Sequence, residues 1–251
     1  MLKISAVSYL NTVPFIHGLK QSELIQSIDL QLDYPSICAD KLIHGTVDLA
    51  LVPVAVIPKL KEVHIISDYC IGANGAVDTV CLYSDVPITE IESIALDYQS
   101  RTSVALLKIL LKEYWQLNPK LKKPEVGFED NIKGKNAALV IGDRAFALND
   151  KHAYIYDLSA FWKEMTGLPF VFAAWVANAK LPQEFIEAFN KSLEKGLSDI
   201  DTALALEGAN YPNCTNPEDY LNNKISYVLD DDKRKGMELF LKKVNAISLN
   251  Y

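Results

Sequence analysis

Val47-Asp48-Leu49-Ala50-Leu51-Val52 carries one acid near its start and then four apolar residues in a row. Strict alternation would leave one face for water, whereas an unbroken apolar run leaves none, so this strand belongs in a sheet covered on both sides. Toward the N-terminus, residues 36–44 read as a helix that Gly45 stops, and residues 28–32 alternate as a strand. Val13–Lys20 is a short helix opened by Asn11-Thr12, with Pro14 in its first turn, and residues 2–8 are strand-like. Toward the C-terminus, 63–69 and 77–83 are strand-like as well. Repeated strand–helix units predict a largely parallel sheet with helices on both faces.

A second set of units follows Asp85-Val86-Pro87. Residues 93–96 and 137–141 read as strands, and 102–115 as an amphipathic helix with Val104, Leu107, Leu110, Leu111 and Tyr114 on one face. Gly142-Asp143 leads into a helix over 144–148. Residues 158–165 are helical and 170–176 form an apolar strand. Beyond Pro182 the chain is almost entirely helical, over 184–197, 199–206, 217–224 and 231–244. The expected architecture is α/β, with two lobes, a ligand cleft between them and a C-terminal helical segment. Lobe one comprises residues 1–84 plus 178–251 and lobe two residues 85–177, with crossings near 82–87 and 173–177. Open α/β sheets bind ligands beyond the carboxyl ends of their strands, so the cleft is where functional groups should fall.

The 251 residues are 49% hydrophobic and 23% charged, and 25 basic against 32 acidic side chains leave a net charge of −7. This composition is that of a globular protein, and its acidic balance excludes a phosphate-neutralising nucleic-acid binder. The longest apolar stretches, around 49–60 and 168–177, fall well short of the ~20 residues that span a bilayer. No membrane insertion is expected. The chain runs straight into a strand without the regions of a secretory signal, which points to the cytoplasm. Cys38, Cys70, Cys81 and Cys214 contain no CxxC pair and read as reduced thiols, and the four histidines show no ligand spacing, so no metal site is expected.

Three segments place polar groups directly after a strand. In Ser8-Tyr9-Leu10-Asn11-Thr12-Val13-Pro14-Phe15, Asn11 suits either a helix N-cap or an amide directed at a ligand. In Leu96-Asp97-Tyr98-Gln99-Ser100-Arg101-Thr102-Ser103, three hydroxyls and one Arg gather at a helix start. That is more than one cap needs, and it makes an anion site suited to a carboxylate, because no glycine-rich phosphate loop precedes it. In Val140-Ile141-Gly142-Asp143-Arg144-Ala145, Gly142 permits a tight turn or a close approach and Asp143 is a natural cap. No Ser-His-Asp order, GxSxG elbow or paired-carboxylate signature is present. Residue patterns alone therefore define a two-lobed binder of a small anion.

These segments resemble the MqnA family, the chorismate dehydratases of the futalosine route to menaquinone. The resemblance rests on Tyr9-Leu10-Asn11 with Pro14, on Gly45-Thr46-Val47-Asp48-Leu49-Ala50-Leu51-Val52-Pro53, and on Leu96-Asp97 with Ser100-Arg101-Thr102-Ser103. Ile141-Gly142-Asp143-Arg144-Ala145 and Thr166-Gly167-Leu168-Pro169-Phe170-Val171-Phe172-Ala173-Ala174-Trp175 complete it, in family order from residue 8 to 175. It implies a type 2 periplasmic-binding-protein fold used as a cytoplasmic enzyme. The reaction implied is the loss of water from chorismate to give 3-[(1-carboxyvinyl)oxy]benzoate, a hydro-lyase step with no metal or organic cofactor. Where the family has Ser in a Gly-x-Val-x-Ser-Val stretch, this chain has Thr79 in Gly75-Ala76-Val77-Asp78-Thr79-Val80, which keeps the hydroxyl and adds a methyl.

On this reading Asn11 is the catalytic residue, acting as an orienting group because an amide has no basic pair at neutral pH. Tyr9, Thr79, Ser100, Arg101, Thr102, Ser103, Gly142 and Asp143 contact the substrate. The substrate's side-chain carboxylate, held over the ring, takes the proton; Asp97 or Asp143 as base is the rival. A non-catalytic solute-binding protein and the sister 1,4-dihydroxy-6-naphthoate synthase are the alternative functions.

Overall fold

In the computed structural model, which describes residues 1–124, 127–149 and 151–247, the 47–52 run leads into a central strand, Leu49–Pro53, buried at every position. The first lobe opens with β1 (Leu2–Val7), α1 (Val13–Lys20), β2 (Ile28–Asp33), α2 (Pro35–Ile43), β3 (Leu49–Pro53) and β4 (His64–Ala73). The second lobe holds β5 (Val80–Ser84), β6 (Ser93–Ala95), α3 (Arg101–Ile109), β7 (Lys120–Lys122), β8 (Asn136–Ile141) and β9 (Tyr154–Asp157). From there α4 (Leu158–Thr166) leads back to β10 (Phe170–Ala177). The tail contributes α5 (Gln183–Leu197), α6 (Ile200–Glu207), α7 (Pro217–Asp219), β11 (Ser226–Val228) and α8 (Asp231–Ala246).

The first sheet has the order β11-β4-β10-β3-β1-β2 and the second β7-β6-β8-β5-β9. In the first, β1 runs parallel to β2 and β3, with Ile4 opposite both Leu30 and Leu49. The largely parallel sheet expected from the unit pattern gives way to two mixed sheets. β10 is antiparallel to β3 and β4, and β5 is antiparallel to β8 and β9. Both are buried at every position and therefore take interior places. Each also belongs to the sheet opposite the one expected, since Val80–Ser84 was assigned to lobe one and Phe170–Ala177 to lobe two. The chain thus crosses between the sheets at 74–79 and again through α4, earlier than expected in both cases. An apolar strand gains the same burial in either sheet, so local sequence carries no mark of which one it joins.

One side chain ties the two crossings together. Asp157 accepts from the N–H groups of Val77 (2.8 Å) and Asp78 (2.7 Å) on the first crossing. It caps α4 by accepting from Ser159 (2.9 Å) and Ala160 (3.0 Å) on the second. Asp78 sits there with φ 65, a conformation that costs energy and persists only where neighbours hold it.

The helical tail covers the first sheet. Where α1 crosses α5, a Cβ on Gly196 would stand 1.9 Å from the Pro14 carbonyl oxygen, so only glycine lets these helices approach so closely. Phe240 of α8 closes an aromatic cluster with Trp162 and Phe170, at centroid distances of 6.0 and 5.0 Å. The amphipathic helix expected over 102–115 is α-helical to Ile109 and continues as a widened π-turn over Leu110–Tyr114. β7, β9 and β11 were not apparent in the sequence; all three are sheet edges of three or four residues, too short to display a period. Among the described residues no helix is long and apolar enough to cross a membrane.

Candidate functional site

A cavity lies between the lobes, beyond the carboxyl ends of β1, β3 and β8. Its polar groups come from Tyr9, Asn11, Thr79, Ser100, Ser103 and Gly142, and its apolar walls include Val7, Ile71, Phe172 and Ile225. Among the described residues no Lys, Arg, His, Asp or Glu lines it. An anion bound here is held by hydroxyls, an amide and backbone dipoles rather than by a countercharge.

The loop after β1 supplies the first two groups. Asn11 lies in a 3₁₀ turn, Leu10–Thr12, with Thr12 at the cap position of α1 and no side-chain cap bond there. Its Oδ1 accepts from Thr12 Oγ1 at 3.1 Å, so of the two roles open to Asn11 the structure takes the cavity-facing amide. The buried Tyr9 ring also lines the cavity, and its hydroxyl donates to Gln99 Oε1 across the lobe boundary. Burial raises the Tyr9 pKa, so it stays a neutral donor.

The start of α3 divides its four polar residues between two tasks. Ser100 caps the helix, accepting from Ser103 N at 3.2 Å, and the two hydroxyls lie 3.0 Å apart while both line the cavity. Capping and cavity lining coexist. Arg101 and Thr102, expected beside the anion, have other partners and are not among the lining residues. Arg101 Nη2 donates to Asp40 Oδ1 at 2.7 Å, and Thr102 Oγ1 accepts from Ala55 N at 3.1 Å, both contacts joining one lobe to the other. The reason is helical geometry. Residues three apart share a face, so when 100 and 103 meet the cavity, 101 and 102 turn toward the first lobe.

Gly142 (φ +65) borders the cavity with its N–H bonded to the Thr79 carbonyl at 2.9 Å. A Cβ there would stand 2.7 Å from the Tyr9 ring, so this glycine makes room for a tyrosine. Asp143 is directed away from the cavity. Its carboxylate accepts from Leu10 N at 3.2 and 3.3 Å and lines a second, polar hollow on the far side of Tyr9. Asp97 is also absent from the cavity wall. It accepts from Gln99 N (2.7 Å), Ile141 N (3.1 Å) and Arg144 Nη2 (2.5 Å), and so positions the glutamine that holds Tyr9. Burial pushes both carboxyls up to about 6, against the guanidinium and backbone donors for Asp97 and a single backbone donor for Asp143.

Thr79 is buried, and its Oγ1 lies 2.8 Å from the Tyr220 hydroxyl. The sequence reading passed over Gln99, Tyr220 and Tyr227, all of which touch site residues. Gln99 lies between Leu96 and Ser103, beside the polar start of α3; the two tyrosines lie in the tail, where nothing local distinguishes them. Among the described residues no group of three or more His, Cys, Asp or Glu is placed to hold a metal ion.

Two α/β lobes with a cavity between them make a periplasmic-binding-protein-like fold. A Candida albicans protein described as exhibiting the generic periplasmic binding protein structural fold superposes with a TM-score of 0.64, covering 100% of this chain and 92% of that one at 9% identity. The chain belongs to the menaquinone biosynthesis family, whose sequence profile matches residues 2–246. It is 28% identical to a chorismate dehydratase of Thermus thermophilus, over 92% of this chain and 91% of the relative. It is 29% identical to a chorismate dehydratase of Campylobacter jejuni, over 97% of each.

Proposed function

We propose that this protein is a chorismate dehydratase, a hydro-lyase that converts chorismate to 3-[(1-carboxyvinyl)oxy]benzoate and water in the cytoplasm. The observation that carries the reading is the largely apolar cavity with a few uncharged polar groups, Asn11 and Thr79 facing it from opposite sides of the lobe boundary. Family membership and the two full-length relatives support it.

The reaction removes the ring hydroxyl and a proton from the neighbouring ring carbon, and the ring becomes aromatic. Aromaticity supplies the driving force, so the protein's task is to hold a flexible dianion in one reactive shape. Ser100, Ser103 and the first amides of α3 receive one carboxylate, each charge-assisted bond contributing roughly 1.5–3 kcal/mol. Asn11 and Thr79 orient the rest of the substrate. With Asp97 and Asp143 both outside the cavity, the enolpyruvyl carboxylate of the substrate takes the ring proton and passes it to the departing hydroxide, completing water. Apolar walls at Ile71, Phe172 and Ile225 keep bulk water from competing for these bonds.

Purified protein incubated with chorismate is expected to yield a product lighter by one water and carrying the ultraviolet absorption of a substituted benzoate. Chorismate that binds, as judged by calorimetry, but remains unchanged would make the protein a receptor and overturn the assignment.

A further inference from the structure

The C-terminal segment, which the sequence marks only as helical, delivers two buried hydroxyls to the reaction centre. Tyr220 opens the widened turn Tyr220–Lys224, with its ring edge-on to Phe146 at 5.0 Å. Its hydroxyl stands 2.8 Å from Thr79 Oγ1. Tyr227 on β11 packs its ring against Phe15 at 5.2 Å and donates its hydroxyl to the Asn11 carbonyl at 3.0 Å. The Asn11 backbone and the Thr79 side chain are thus both held from one stretch of the tail.

Either hydroxyl of the Tyr220–Thr79 pair can donate. Thr79 Oγ1 also reaches the Val77 carbonyl at 3.4 Å, so its hydroxyl is tied both to the first crossing and to the tail while it lines the cavity.

We propose that Tyr220, assisted by Tyr227, is a positioning residue for the dehydration, Tyr220 fixing the Thr79 hydroxyl and Tyr227 the Asn11 backbone at the wall of the cavity. The inference rests on the function proposed above. Its chemistry belongs to the turnover step. A rotating amide and a rotating hydroxyl still contact substrate, but they spend less of their time in the reactive geometry.

Tyr220→Phe keeps the ring against Phe146 and removes only the hydroxyl. With chorismate as substrate, kcat is expected to fall ~10-fold or more while KM stays within ~3-fold, the pattern of an interaction that acts in the transition state. In a Thr79→Val background the same change should cost less than ~2-fold, because residues that act as one unit do not lose activity multiplicatively. An unchanged kcat in Tyr220→Phe, or losses that multiply in the double variant, would overturn the proposal. Should Tyr220→Phe fail to fold, Tyr227→Phe alone and with Asn11→Ala carries the same test with the same expected pattern, and multiplicative losses there would overturn it equally. A wild-type protein that leaves chorismate unchanged refutes the functional assignment itself, and the positioning role with it.

Discussion

Gly142 and Tyr9 are fitted to one another: a Cβ on the glycine would stand 2.7 Å from the tyrosine ring, whose hydroxyl crosses the cleft to Gln99. The first lobe's motif thus packs directly on the second lobe's. Gly142→Ala must either displace Tyr9 or strain a backbone at φ +65. The expected cost is about 1–3 kcal/mol of stability, together with a loss of turnover, since the displaced ring forms part of the cavity wall. Thermal unfolding and kcat/KM, measured on the same sample, check both, and a variant with both values unchanged would show that the contact relaxes freely.

Asn11 is free of capping duty, so its removal should separate activity from stability. Asn11→Ala is expected to lose turnover by ~10²-fold, the scale for one well-placed polar group. Its melting temperature should stay close to that of the wild type. A large drop in melting temperature with activity retained would assign Asn11 to the architecture of the loop.

The split of the α3 start into two faces gives a paired comparison. Ser103→Ala removes a cavity hydroxyl and leaves the Ser100 cap in place, so substrate binding should weaken by ~10-fold with little change in stability. Thr102→Val leaves the buried Ala55 N–H without its acceptor and should cost about 1–3 kcal/mol of stability. Equilibrium binding of chorismate to both variants, with calorimetric unfolding, decides the matter. A greater loss of affinity in Thr102→Val would return that residue to the anion site.

Asp143 sets a pH dependence whose sign can be worked out. Burial raises its pKa from 3.8 to about 6, so between those values the folded protein binds more protons than the unfolded chain. Its contribution is therefore most favourable at acid pH, and stability falls as pH rises from about 4 to about 6. Asp143→Asn keeps an oxygen for Leu10 N–H and removes the cost of a buried charge. The variant should match wild type below about pH 4 and exceed it above pH 6, by on the order of 1 kcal/mol once residual solvent contact is allowed for. Urea midpoints measured across that range test the difference between the two proteins, and a variant less stable than wild type at pH 7 would reverse the sign.

What the amino-acid sequence determined by itself is what short-range physics controls. The limits of α1, the buried character of β3 and β10 and the α/β class all follow from period, apolar runs and cap chemistry within a few residues. The motifs that mark the cavity were legible too, because each follows directly on a strand end. Tertiary structure alone decided which sheet receives β5 and β10, since burial is equally favourable in either and only the path of the chain distinguishes them. It also chose the face of α3 that meets the cavity. Side chains rotate about 100° per residue around a helix, so the spacing pairs 100 with 103 but cannot say which side the neighbouring lobe occupies. Tyr220 and Tyr227 lie 141 and 216 residues from the groups they hold. Nothing in their local sequence marks a hydrogen bond whose other half is brought into place only when the tail folds back across the first sheet.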